Sequence, residues 1–463
     1  MRARAIVVAA GAFLVAGAVS CLLLLRAGPP RAASTTAPPP NSGGRSHKLI
    51  GGFSGYGWST QEETKAAVDQ AMAQATAEAM GEPDVTFVFY SHQHAPARVV
   101  EALGSPKGSP RRVCGWSSYH GVLTPDGYHA SPQGVIGVMP LRLPDVTVGV
   151  GAATFGEAES PEATARLALR RATEDAGPLP PGRRLSMIVM SATYDGNEER
   201  VLESLRAATD GPVPVLGGTA AGSPQAGSSD WSVIANGQVI RSGLALCVFY
   251  SASPFAWSFQ GGFHRTGKSG VVTASDGRVI REIDGRPALD VYDEWSGGRV
   301  GEAMRAGRDM NTFAALYPLC KTLTSGTATH NLFVHAWPPE DGAATKRLVT
   351  SANLWKGERV FFSEGSWNIL LNRLGALPRL AREEAPDVHP AAALLICCEA
   401  VLKNIPPGQR DQMAFLVSKS LGDVPWIGVF TWGEQGNFRG VGNYHGNLLT
   451  SVVLLPQAAS DGE

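Results

Sequence analysis

Between Trp426 and Pro456 the chain reads WIGVFTWGEQGNFRGVGNYHGNLLTSVVLLP, and the middle of this stretch holds residues whose types could do chemistry. Thr431, Trp432, Glu434, His445 and Asn447 supply a hydroxyl, an indole, a carboxyl, an imidazole and a carboxamide, with glycines interleaved. A few polar groups beside an aromatic wall suit a small polar ligand, because the polar groups fix its orientation and the ring gives it surface. A second chemistry draws on the same residues. Cys397 and Cys398 lie upstream, and Cys398, His445 and Glu434 have the residue types of a nucleophile, its base and an orienting carboxylate. A cysteine that ends an apolar run is more often buried than reactive, and nothing near it in sequence would lower a thiol pKa. Binding is therefore the leading reading and a hydrolase the alternative; an envelope scaffold protein is a further one.

Two apolar runs, Trp426–Phe430 and Leu448–Leu455, have the length and composition of strands that would hold this polar segment between them as a loop. A related arrangement stands earlier in the chain. A helix at Lys65–Met80, a strand at Val85–Tyr90, a helix at Ala97–Leu103 and a strand at Arg112–Trp116 are echoed by a helix at Pro161–Ala172, a strand at Leu185–Met190, a helix at Glu198–Ala208 and a strand at Val213–Gly218. Each copy ends in glycine and small hydroxyl residues: Gly115 to Ser117, and Gly217, Gly218 and Thr219. Strand–helix–strand units of this length predict parallel pairing with helices on the sheet faces. Ligands of such sheets sit beyond the carboxyl ends of the strands, where glycines let backbone amides come close. Ser117, Thr219 and those amides could hold a carboxylate, with Glu434 taking an ammonium and Trp432 walling the pocket.

Other signals are weaker. No GxGxxG and no GxxxxGK[ST] occurs, so no nucleotide cofactor is indicated. His92 and His94 have too few carboxylates nearby to argue for a metal. Asp195, Asn197, Glu198 and Glu199 read as helix N-terminal capping residues. Asn236-Gly237 and Asp276-Gly277 read as hairpin turns within a β-rich stretch from Trp231. The later half alternates strands and helices, with a helix at Arg410–Leu421. The expected fold is α/β with two domains, a repeated βαβ domain with a β-rich extension at 49–290 and a mixed α/β domain at 291–463.

The chain has 463 residues, 40 Lys plus Arg and 41 Asp plus Glu, a balance that gives no electrostatic case for nucleic acid. None of its six cysteines forms a CxxC pair, so neither a zinc site nor a disulfide framework is expected. At the N-terminus, Arg2 and Arg4 precede the uncharged apolar run Ala5–Leu25, long enough to span a bilayer, followed by a flexible Pro/Ser/Gly linker at 27–48. Residues 1–26 admit a signal anchor, a cleaved signal peptide or lipidation at Cys21, the run length favouring the anchor. Every one of these places the body outside the cytoplasmic membrane.

Taken together, GWSS, VGVGAATFGEA, VPVLGGTAAG, ANGQVIRSGLAL, VVTASDGRVIREIDGRPALDVY, LLICCEA and IGVFTWGEQGN…NYHGNLLTSVVLL, in this order from about Gly51 to Leu455, resemble the FIST proteins. The resemblance implies an N-terminal and a C-terminal FIST domain, a sensory input role, a small-molecule ligand such as an amino acid, and a signalling protein partner. The chain departs from the family at Ala221-Gly222-Ser223, where an Asp often follows the Gly-Gly turn, and at Cys398-Glu399-Ala400-Val401, where Cys-x-Gly-Arg is typical.

Overall fold

Both copies of the repeat are built as parallel strand pairs. Val85–Tyr90 runs parallel to Val113–Ser117 with the helix Pro96–Leu103 between them, and Arg184–Ala192 runs parallel to Val215–Thr219 with the helix Glu198–Ala208 between them. The computed structural model describes residues 44–49, 51–79, 81–104, 112–223 and 229–457. Within it, Gly43–Glu463 forms one unit. The expected signal segment at 1–26 and nearly all of the linker lie outside the described residues. The end of that linker is corrected: Arg45–Leu49 is a strand, paired antiparallel with Gly52–Ser59. Among the described residues no helix is long and apolar enough to cross a membrane.

The architecture is mixed α/β, and its sheets cross residue 290. Glu434–Phe438 lies antiparallel beside Val215–Thr219, Gly121–Thr124 lies beside Trp426–Thr431, and Ala256–Gly261 pairs with Leu449–Pro456. The long strand His264–Asp276 pairs with Arg359–Glu364. The parallel pairs are thus embedded in sheets whose other neighbours are antiparallel.

The strand Pro390–Cys398 shows why these runs carry so few charges. Ala393, Leu395 and Cys397 enter one core with Leu374, Trp426 and Phe430, while Leu394 and Ile396 enter a second with Phe87, Trp116 and Val189. A strand buried on both faces must be apolar at every position, and each leucine so buried contributes roughly 1.5–3 kcal/mol. On the outer side of the first core the helix Trp367–Glu384 packs beside Asp411–Leu421, Gly375 of the former lying against Leu416 of the latter. Gly375 and Pro378 break the sequence pattern of this helix, which is why no helix is expected there from sequence.

The connection expected as a polar loop is itself folded. Glu434–Phe438 and Gly442–Gly446 form an antiparallel hairpin between the strands Trp426–Thr431 and Leu449–Pro456, and the first of its strands is buried throughout. Gly436 presses flat on the Phe259 ring, an approach that any side chain would block.

Candidate functional site

The carboxyl ends of the repeat strands and the Thr431–Asn447 hairpin meet in one place. Trp432 N–H donates to Thr219 O (3.0 Å), Thr219 N–H donates to Gly433 O (2.9 Å), Ala221 N–H donates to Ser117 O (3.0 Å) and Tyr119 N–H donates to Phe430 O (3.0 Å). Backbone pairing therefore sets Trp432 at the junction of both repeat copies. Its ring packs edge-on against Tyr194 and Trp231, with centroids 5.3 and 5.4 Å away. Tyr194 and Trp231 complete this partly exposed aromatic wall, and neither stands out in sequence. Tyr194 does follow a buried strand end directly, which is the signal that could have found it.

The glycines serve the strands. A Cβ at Gly115 would fall on the Val88 carbonyl, one at Gly217 on the Met190 carbonyl, and one at Gly218 on the Thr431 side chain. Protein atoms already occupy the space over each of them. Ser117 is spent in the same way: its Oγ accepts from Ser232 N–H (3.0 Å) and is fully buried.

Beside the wall lies a buried polar network. Thr219 Oγ1 donates to Glu198 Oε1 (3.1 Å) and accepts from Gln435 Nε2 (3.0 Å). The Gln435 amide also reaches His445 Nδ1 (3.1 Å), and His445 Nε2 reaches Ser351 O (3.2 Å). With Gln435 donating, Nδ1 is the acceptor and Nε2 the donor to the Ser351 carbonyl. Arg278 then bridges the Oε2 atoms of Glu198 and Glu199 (2.8 and 3.1 Å), and Asn353 N–H donates to Glu199 Oε1 (2.8 Å). Capping is thus not the main duty of these carboxylates, and the Asn197 side chain makes no cap bond. Asp276-Gly277 forms the expected turn, and it is Arg278, the next residue, that reaches this pair.

Glu198, Glu199 and His445 bring their ligand atoms within 4.8 Å of one another, the spacing a metal ion would ask for. The Arg278 guanidinium already bridges both carboxylates and both His445 nitrogens are engaged, so the group is an ion-pair cluster. His92 and His94 join no such group among the described residues; His94 is buried and its Nδ1 meets the Thr64 hydroxyl (3.1 Å).

Glu434 is fully buried. Burial pushes its carboxyl well above the usual range. The hydrogen bonding agrees: Thr431 Oγ1 has one proton but lies 2.9 Å from Glu434 Oε1 and 3.2 Å from Cys397 O. If Thr431 donates to the Cys397 carbonyl, a protonated Glu434 donates to Thr431, while Glu434 Oε2 accepts from Leu449 N–H (3.3 Å). The carboxyl is a neutral tie between the strand end and the Leu449 backbone.

Cys398 lies beside Glu434, but burial and the neighbouring carboxyls push its thiol up, away from a thiolate. His445 is bonded to Gln435 and Ser351, not to Cys398. The structure brings Cys398 to Glu434 without bringing a base to Cys398.

Gln435 Oε1 and Arg278 Nε are buried without partners, and Asn447 goes further, with its whole amide idle. It is 1% exposed, and neither its Nδ2 nor its Oδ1 has a hydrogen-bond partner. Its amide lies against the α-carbon of Gly433, next to Trp432: a Cβ there would lie 3.4 Å from Asn447 Nδ2 and 2.6 Å from His445 Cε1. Leu448, which follows, is held at φ 60, a left-handed conformation unusual for a leucine. The backbone strain and the idle amide occur together, as they often do where a chain is shaped for something other than stability.

No curated protein matches the chain. Among solved structures it is weakly similar to PurLQS from Thermotoga maritima, with a TM-score of 0.21 at 9% identity over 89% of this chain and 74% of that one. T. maritima PurL complexed with AMPPCP gives 0.20 at 10% identity over the same shares. Residues 84–286 match the FIST N domain, a span that holds Gly115, Ser117, Tyr194, Glu198, Gly217–Thr219, Trp231 and Arg278. Over that span, somewhat less than half of the chain, the protein is thus similar to the FIST N domain, a domain type that is generally sensory for small ligands.

Proposed function

We propose that this protein is an extracytoplasmic sensor of an amino acid or a similar small metabolite, bound where the repeat strand ends meet the Thr431–Asn447 hairpin. The observation that carries the reading is the Asn447 carboxamide, buried and unpartnered beside Trp432. A buried amide with both its donor and its acceptor idle is costly unless something completes it. An α-amino acid offers a carboxylate for the N–H and an ammonium for the C=O, and its side chain would lie against Trp432 and Tyr194. Glu434, Thr431 and Thr219 hold the turn in place, and the remaining residues of 291–463 act as a C-terminal FIST domain. The apolar run Ala5–Leu25 anchors the body to the membrane, and a signalling protein partner reads the bound state.

Calorimetry of the full chain against a panel of amino acids tests this. One or more should bind, and Asn447→Ala should abolish binding while leaving the unfolding free energy within about 1 kcal/mol, since no hydrogen bond is lost. A panel on which the wild type shows no binding at all defeats the reading.

A further inference from the structure

A cleft of about 660 Å³ opens between the Gly121–Ala130 hairpin, the turn at Asp309 and the chain from Leu402 to Arg410, and none of the residues around Trp432 lines it. That volume is in the range of small-molecule sites, roughly 300–1,000 Å³. Two cations, Lys403 and Arg410, and one carboxylate, Asp309, line it. The Lys403 ammonium is 3.0 Å from Glu399 Oε2 and lies 5.0 Å over the Tyr119 ring. Asp309 is used by its own turn, accepting from Asn311 N–H and the Thr312 hydroxyl. Arg410 is left over. Its guanidinium sits 5.5 Å over the Tyr128 ring and has no hydrogen bond or ion pair among the described residues, and its Nε is buried without a partner. His120 also lines the cleft, held at φ 59.

A guanidinium presents paired N–H donors in one plane, the arrangement that matches two oxygens of a carboxylate or phosphate. Tyr119 and Tyr128 line the same cleft and offer aromatic surface to the body of a ligand. We propose that this cleft is a second binding site, for a small organic oxyanion whose carboxylate or phosphate meets Arg410 and whose body lies between Tyr119 and Tyr128. This site stands apart from the one at Trp432 and does not depend on it.

The test is titration of the full chain, followed by calorimetry, with benzoate, phenyl phosphate and the neutral benzyl alcohol. At least one of the anions should bind, and the alcohol should not; which anion binds tells carboxylate from phosphate. Arg410→Met should weaken that binding by about tenfold or more with the melting temperature unchanged, and Asn447→Ala should leave it intact. The proposal is overturned if neither anion binds the wild type, if benzyl alcohol binds as well as they do, or if Arg410→Met binds them like the wild type.

Discussion

Two polar regions lie side by side in this molecule and treat the same kinds of residue in opposite ways. In the network of Thr219, Gln435, His445, Glu198, Glu199 and Arg278, nearly every donor meets an acceptor and both carboxylates meet a cation. At Asn447, one residue past the same hairpin, a carboxamide is buried with nothing to bond. Residue type does not separate the two; satisfaction does. A His and two Glu within metal-binding reach turn out to be structural, and an unremarkable Asn is the group with capacity to spare.

The comparison breaks most sharply at Arg278. Arg278→Met leaves Glu198, only 2% exposed, and Glu199 without their counter-charge, and should cost about 3–5 kcal/mol in a urea melt. A cost below about 1 kcal/mol would mean that the network does not depend on this bridge, and the contrast with Asn447→Ala would vanish.

Acid should act next. Burial pushes His129 and His335 down to about 4, against smaller opposing contributions from Asp126 and Asp411 at His129 and from the Asn311 backbone at His335. Their folded-state pKa values lie below the ordinary value of about 6.5, so above that pH neither state binds a proton and nothing is lost. As pH falls from 6.5 towards 4 the unfolded chain takes up protons that the fold refuses, and stability drops by about 2 kcal/mol per histidine between pH 7.5 and 5. His129 stacks on Trp58 with ring centroids 3.6 Å apart, so His129→Phe keeps the stack and should remove its share of the acid loss, read from melts at both pH values.

Glu434 gives the smallest effect and the finest distinction. A buried carboxyl raised above the ordinary range binds its proton more tightly folded than unfolded, so it detracts from stability as pH rises past about 4.5. Glu434→Gln reproduces the neutral pattern, donating to Thr431 and accepting from Leu449 N–H. It should match the wild type within about 1 kcal/mol at pH 7, or exceed it slightly, where Glu434→Ala loses about 2 kcal/mol or more. A Gln variant as damaged as the Ala variant would show that the carboxyl is charged.

Much of the local structure is legible in the sequence, because local structure follows local pattern. The repeat, its parallel pairs and the helix Glu198–Ala208 follow from alternation and strand composition, and the Asn236-Gly237 and Asp276-Gly277 turns from glycine chemistry. What escaped reading depends on partners far along the chain. Gly115, Gly217 and Gly218 suggest room for a ligand, but adjacent strand atoms take that room, and this shows only once register is known. The hairpin Glu434–Gly446 reads as a loop since its glycines answer to distant residues, Gly436 to the Phe259 ring and Gly446 to Leu332. Tyr194, Trp231 and Trp432 form a wall only when the fold brings all three rings into mutual contact.

The sheets that cross residue 290 have a consequence for anyone wishing to cut the molecule. Severed there, the first piece keeps Val215–Thr219 and Gly121–Thr124 with bare edges, and the second keeps the strands that cover them. Neither fragment is a module to be transplanted alone. The two resemble the halves of a split reporter already joined by a tether, for Trp432 meets Thr219, Tyr194 and Trp231 only where the pieces come together.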